Sequence, residues 1–360
     1  MDSREPAAIR LIERLEDEAY SDSIMLGHQN AGHIGVSINA FDGTESDIKN
    51  LTGKHPAVVG IDTLSLFGYE GQFEDTVKVV KQLHKEGVII TLSSHMPNFS
   101  LGGKDFYDYS ANILDGDCAA RILPGGDLNT KYRRFLDVIA DFARKCIDVA
   151  GDRIPMIFRP FHECNGSWFW WGTSSVSDAD YVKLFRYTID YLEDECGIRS
   201  FVYAYSPNGF FTDQKDIMKR YPGDEYVDIV GIDLYHDRPE EGDGFFEKAA
   251  SSLEVLESFC EDRGKIPAWS EIGLRTLDSG DLGYFEGLAP DGNRITDWFT
   301  RILQMLQGSE AGIRIAYLLF WANFSDTQFW IPYARGDFRH EMCDDFVKFC
   351  NSGSIKLAGE

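Results

Sequence analysis

The run IPMIFRPFHE at residues 154–163 is apolar along most of its length and closes on His162 and Glu163. Continuous rather than alternating apolarity marks a strand buried on both faces, as in a parallel sheet covered by helices. Seven further runs share the pattern: SIMLGHQN (23–30), PAVVGIDT (56–63), VIITLSSH (88–95), SFVYAYSPN (200–208), DIVGIDLYHD (228–237), KIPAWSEIG (265–273) and IAYLLFWANF (315–324). Helical periods lie between them: Phe73, Val77, Val80 and Leu83 share a face, as do Phe135, Ile139, Phe142 and Cys146, then Tyr181, Leu184, Phe185 and Leu192, then Trp298, Ile302 and Leu306. Gly87, Gly197, Gly264 and Gly308 follow such stretches, where a left-handed cap is commonly needed. Eight strands alternating with helices predict an α/β fold, a single (β/α)8 TIM barrel over residues 1–360, with 1–22 an N-terminal helix packing on the barrel. A doubly wound open sheet is the alternative. Its nucleotide-binding use has no support, since no GxGxxG or GxxxxGK[ST] follows any strand.

Composition narrows the function. With 43% hydrophobic and 13% aromatic residues the chain can bury a large core, and a formal net charge of −24 repels nucleic-acid phosphates and anionic membranes. A neutral substrate is expected, with no nucleic acid and no membrane insertion. No stretch reaches the ~18 apolar residues of a spanning helix, and the opening MDSREPAAIRLIERLEDE is too charged for a signal peptide. The expectation is therefore a cytosolic chain or a mature form. Its seven cysteines form no CxxC pair and no zinc-like cluster; most are expected to be buried thiols, with one or two disulfides the alternative.

Barrel enzymes build their sites at the carboxyl ends of the strands, and here those ends gather polar and aromatic groups: His28, Gln29 and Asn30; Asp62; Ser94 and His95; His162 and Glu163; Tyr205 and Asn208; Asp233, Tyr235 and His236; Glu271; Trp321 and Asn323. Glu163 and Glu271 each close an apolar run, about three βα units apart, which sets them on opposite sides of an eight-stranded ring. Both are expected to project from rigid strands. Two facing glutamates suit glycosidic cleavage, one protonating the leaving oxygen and the other attacking or activating water at the anomeric carbon. The segment NGSWFWWG (165–172) carries Trp168, Phe169, Trp170 and Trp171, too many large rings for an ordinary loop. Sugar C–H faces pack on such rings, which makes Trp168, Trp171 and Trp321 sugar-binding candidates. Arg159 is either a support for negative charge beside Glu271 or an ion pair inside the barrel. His28 and His33 lack a carboxylate partner at metal spacing, and Asp115 and Asp117 lack the later ligands of a calcium loop; neither a metal nor a cofactor is expected.

RPFHECNGSWFWWG (159–172), SEIG (270–273), GHQN (27–30), ESDIKNLTGKHPAVVGID (45–62), SSHMPN (93–98) and FW (320–321) together resemble glycoside hydrolase family 26, the β-mannanases. The resemblance implies a barrel of the retaining type with Glu163 as acid/base and Glu271 as nucleophile. It also implies that His162, Trp168, Tyr235 and Trp321 line the subsite of the sugar to be cleaved, with His95 in the neighbouring glycone subsite. Two residues depart from the pattern: Cys164 stands where many relatives carry Met or another apolar residue, and Ala322 where some carry arginine.

The implied activity is a retaining endo-β-1,4-mannanase on mannan, glucomannan or galactomannan, a secreted or periplasmic monomer whose partner is a polysaccharide or manno-oligosaccharide. The alternatives are an exo-acting enzyme releasing mannobiose, a β-1,3-xylanase or β-glucanase on the same scaffold, and a non-catalytic carbohydrate-binding barrel. An open cleft is expected because the connection after strand two is short; the longer 96–130 and 322–340 segments, the latter carrying Phe324, Phe329, Trp330 and Tyr333, are the ones able to cover an end.

Overall fold

A computed structural model describes residues 4–276, 287–308 and 312–360. Each of the eight apolar runs contains a strand: β1 Ile24–Gln29, β2 Val58–Asp62, β3 Ile89–Ser94, β4 Met156–Pro160, β5 Phe201–Tyr205, β6 Ile229–Asp237, β7 Ile266–Arg275 and β8 Tyr317–Phe320. Every neighbouring pair is parallel, and β8 pairs back onto β1, closing the barrel. The short β9 (Ala334–Arg335) and β10 (Phe338–Arg339) form a separate ribbon, while β11 (Ile355–Lys356) joins β1 beside Ile24 and Met25.

The helices are α1 Pro6–Ala19, α2 Asp47–Thr52, α3 Phe73–Lys85, α4 Cys118–Ile122, α5 Asn129–Lys145, α6 Asp178–Asp190, α7 Gln214–Met218, α8 Phe245–Arg263, α9 Trp298–Gln307 and α10 Cys343–Cys350. The predicted apolar faces of α3, α5, α6 and α9 turn inward. Leu192 falls just beyond α6, in a π-helical turn over Tyr191–Glu195. Gly87, Gly197 and Gly264 take the left-handed backbone expected of them, whereas Gly308 ends α9 in right-handed backbone.

Two cores result. The larger lies between the sheet and the helices. The smaller fills the barrel's floor, where Ala8, Leu11, Leu15 and Ala19 of α1 pack on Val58, Ile89, Ile157, Val202, Ile229 and Ile266. Helix α1 thus seals the end of the barrel opposite the strands' carboxyl ends. All seven cysteines are free thiols, six of them buried. No described helix is long and apolar enough to cross a membrane.

Candidate active site

The structure corrects one expectation about Glu163. Strand β4 stops at Pro160, and Phe161 and Glu163 then take left-handed backbone, with φ of 53° and 52°. That conformation costs a non-glycine residue about 1–2 kcal/mol, so other contacts must hold it. Glu163 N–H donates to the Ser206 carbonyl at 2.7 Å, and the Glu163 carbonyl accepts from Gly166 N–H at 2.9 Å. Tyr181 Oη donates to the Phe161 carbonyl at 3.0 Å, and Trp171 Nε1 to the His162 carbonyl at 2.7 Å. Glu163 therefore stands on a turn pinned from several sides rather than on a strand.

Both of its carboxylate oxygens are engaged. Trp168 Nε1 donates to Oε2 at 2.6 Å, and Asn208 Nδ2 donates to Oε1 at 3.1 Å. Asn208 is itself clasped by Asn165: its N–H donates to Asn165 Oδ1 at 2.7 Å, and Asn165 Nδ2 donates to its carbonyl at 2.6 Å.

Glu271 lies within β7, at an irregularity. Ile232 pairs with Trp269 and Asp233 with Glu271, so Ser270 is an extra residue; the β7–β8 register shifts in the same place. Such a bulge re-aims the side chains around it. Glu271 Oε1 pairs with Arg159 Nη2, and Oε2 accepts from Tyr235 Oη at 2.7 Å. Arg159 Nη1 also reaches Asp233 at 2.8 Å and Ser206 Oγ at 3.0 Å, while Ser270 Oγ donates to Asp233 at 2.6 Å. Arg159 thus pairs with both Asp233 and Glu271 inside the barrel.

One carboxylate oxygen from each of Glu163, Asp233 and Glu271 lies within 4.8 Å of the others. These are ligand-type groups, but Arg159 already supplies a cation to two of them. Three acids around one guanidinium favour keeping a proton. Burial, and then the charge of Glu271, push Glu163 up to about 7, against the opposing effects of the Trp168 donor, Arg275 and Arg159.

Two histidines on the same rim are driven apart. Burial opposes charge on His95, yet Asp62, 2.8 Å from Nδ1, together with Glu271 and Glu70, outweighs it and holds His95 up at about 9. Burial, then the charges of His95 and Arg159, push His162 well below its usual value. Their ring centroids are 4.5 Å apart. Trp321 is partly exposed, 5.9 Å from His95 between centroids, and Trp168 is 38% exposed.

The structure gathers Glu163, Glu271, His95, His162, Trp168, Tyr235, Trp321 and Arg159 at one end of the barrel. Trp171 does not belong on the cleft surface. It is fully buried, stacked on Phe169 at 4.5 Å, with its indole N–H spent on the His162 carbonyl, so it supports the turn from behind. Sequence reading placed Asp62, Asn208 and Asp233 at strand ends without a role and passed over Asn165, Ser206 and Glu70. Asp233 carried a usable signal, since it too is an acid closing an apolar run. The 96–130 segment buries Phe99 against Phe135 and takes the Trp170 indole N–H on the Met96 carbonyl at 3.0 Å. Phe329, Trp330 and Tyr333 are buried as well.

A model of glycosyl hydrolase family 26 matches residues 7–286. A mannan endo-1,4-β-mannosidase of Bifidobacterium adolescentis is 36% identical over 327 residues, 87% of this chain; the chain spans only 31% of that relative's length. Among solved structures, the catalytic domain of a family 26 endo-β-1,4-mannanase of Bacillus sp. JAMB-750 superposes with a TM-score of 0.90 at 34% identity, covering 99% of this chain and 94% of that one. A modular endo-β-1,4-mannanase of Cellulomonas fimi gives a TM-score of 0.87 at 32% identity, covering 100% of this chain and 77% of that one.

Proposed function

Because the chain belongs to glycosyl hydrolase family 26, we propose that it is a retaining endo-β-1,4-mannanase, cleaving internal bonds of mannan, glucomannan or galactomannan. The observation that carries this reading is the close approach of Glu163 and Glu271, whose nearest oxygens are within 4.8 Å. Carboxyl groups about 5–5.5 Å apart suit direct attack on the sugar, whereas about 6.5–9.5 Å leaves room for a water between.

In the first step Glu271 attacks the anomeric carbon while Glu163 gives its proton to the departing glycosidic oxygen, leaving a glycosyl ester on Glu271. Water then attacks that carbon, Glu163 takes the water's proton, and Glu271 leaves as carboxylate. Arg159 and Tyr235 hold negative charge on Glu271 before and after the ester exists. Trp168 and Asn208 fix the direction of the Glu163 carboxyl. His162 meets the sugar as a neutral imidazole and His95 as an imidazolium, with the Trp321 indole as a platform for the ring. A polymeric substrate is met outside the cytoplasm, which supports a secreted or periplasmic enzyme.

Digestion of a long mannan tests the reading. Viscosity should fall steeply while few reducing ends appear, and proton NMR should show the β-anomer first. Mannobiose as nearly the sole early product would instead mean exo action, and an initial α-anomer would remove the double displacement. Glu163→Ala and Glu271→Ala should each lower turnover by several orders of magnitude with the fold intact, and azide should rescue the two with opposite product anomers.

A further inference from the structure

A groove of about 690 Å³ is lined by Phe67 and Tyr69 from the connection after β2, Phe106 and Tyr107 from the connection after β3, and Lys104, Lys131 and Arg134. Its size falls within the ~300–1,000 Å³ of small-molecule sites. The rings form a continuous wall: Tyr69 lies 5.0 Å from Tyr107, and Phe67 lies 5.4 Å from Phe106, between centroids. Phe67 stacks on Phe135 at 5.0 Å, which fixes the base of the wall. Tyr69, at its edge, is 55% exposed.

The cations are the unusual part. In a chain of net charge −24, carboxylates are plentiful, yet none of these three cations forms an ion pair or side-chain hydrogen bond among the described residues. The one acid in the lining, Asp105, forms no ion pair with them among the described residues; its backbone N–H donates to Asp108 Oδ2 at 2.9 Å. The groove also communicates with the site. Tyr107 Oη lies 3.1 Å from Thr63 Oγ1, next in the chain to Asp62, which holds His95. Glu70, next to Tyr69, accepts from Asn30 Nδ2 at 2.9 Å.

We infer that this groove is a second carbohydrate-binding site, specific for an acidic saccharide whose ring packs on Tyr69 and whose carboxylate meets Lys104, Lys131 and Arg134. The saccharide half of this inference rests on the glycosidase reading; the anion half rests on the three cations. An acidic sugar satisfies both features at once, because its C–H face needs an aromatic wall and its carboxylate needs a cation. The groove would hold an acid-bearing glycan while neutral mannan occupies the catalytic subsites.

The test compares a β-1,4-linked mannuronate tetrasaccharide with mannotetraose, the same rings differing at C6, by calorimetry on the full chain. The mannuronate should bind with an affinity that falls as salt rises, and saturating mannotetraose should not displace it. The triple variant K104Q/K131Q/R134Q should lose at least tenfold in that affinity while hydrolysing neutral mannan at the parental rate. Tyr69→Ala should weaken mannuronate binding at least threefold and leave inorganic sulfate binding unchanged. Absence of mannuronate binding, displacement by mannotetraose, or equal binding by the triple variant overturns the proposal. Sulfate binding as tight as mannuronate reduces the groove to a simple oxyanion site and overturns it as well. A parental enzyme inactive on mannan would instead refute the function proposed above, leaving the binding comparison to stand or fall separately.

Discussion

At the residue scale, proton placement is the governing variable. Glu163 must carry a proton to act as acid, and its value near 7 means that activity should decline as pH rises through about 7, visible as the alkaline limb of kcat/KM against pH. The Glu271 charge is the second cause of that elevation, so Glu271→Gln should lower the Glu163 value, read by carbon-13 NMR of the labelled carboxyl. An unchanged titration would show that burial alone sets it. Asn208→Ala removes a donor that favours the ionised form of Glu163, so the alkaline limb should move upward. With the carboxyl less firmly aimed, kcat should fall on the order of tenfold, about 1.4 kcal/mol. Asn165→Ala, which loosens only the clasp, should shift both in the same direction by less. For Trp321→Ala, loss of the platform should lower kcat/KM by about 2–4 kcal/mol, roughly 30- to 1000-fold; a change under about threefold would make Trp321 a packing residue. Glu163, Glu271, Asn208 and Trp321 were legible as a set because each lies at the end of an apolar run. The left-handed turn at Glu163 was not: its φ is imposed by Ser206, Tyr181 and Trp171, which sequence adjacency does not reveal. Trp171 was misplaced for a related reason, since a run of four rings has no period to say which one faces inward.

At the scale of elements, the strands were the most legible part, because burial on both faces leaves a continuous apolar signature that needs no knowledge of neighbours. The bulge at Ser270 left none. It depends on β6 and β8 meeting β7 in shifted registers, a property of the pairing. Residues 1–22 were expected as an N-terminal helix on the barrel, but the position of α1 under the floor depends on a second, smaller core inside the ring. Leu15 is fully buried there, so Leu15→Ala should cost about 2–5 kcal/mol in chemical denaturation. Specific activity of the folded fraction should be unchanged, because the floor lies at the opposite end of the strands from the carboxylates. A loss of activity without a loss of stability would mean that the floor is coupled to the site.

At the scale of the whole molecule, a net charge of −24 makes the folded state repel itself. Raising salt from about 10 mM to 200 mM shortens the screening length well below the size of the protein, so Tm should rise over that range. A flat or falling Tm would show that the local ion pairs outweigh the overall repulsion. The geometry of the floor bears on something else. Helix α1 lies beneath it, β11 pairs with the beginning of β1, Leu357 bridges to Pro56 just ahead of β2, and Glu360 reaches Lys54 at 2.8 Å. Residues near both ends of the chain are therefore gathered on the face turned away from the carboxylates. Immobilised on a bead or fused to a carrier through either end, the protein would stand with its cleft facing the surrounding liquid, and a bulky polymer could reach it without passing the support.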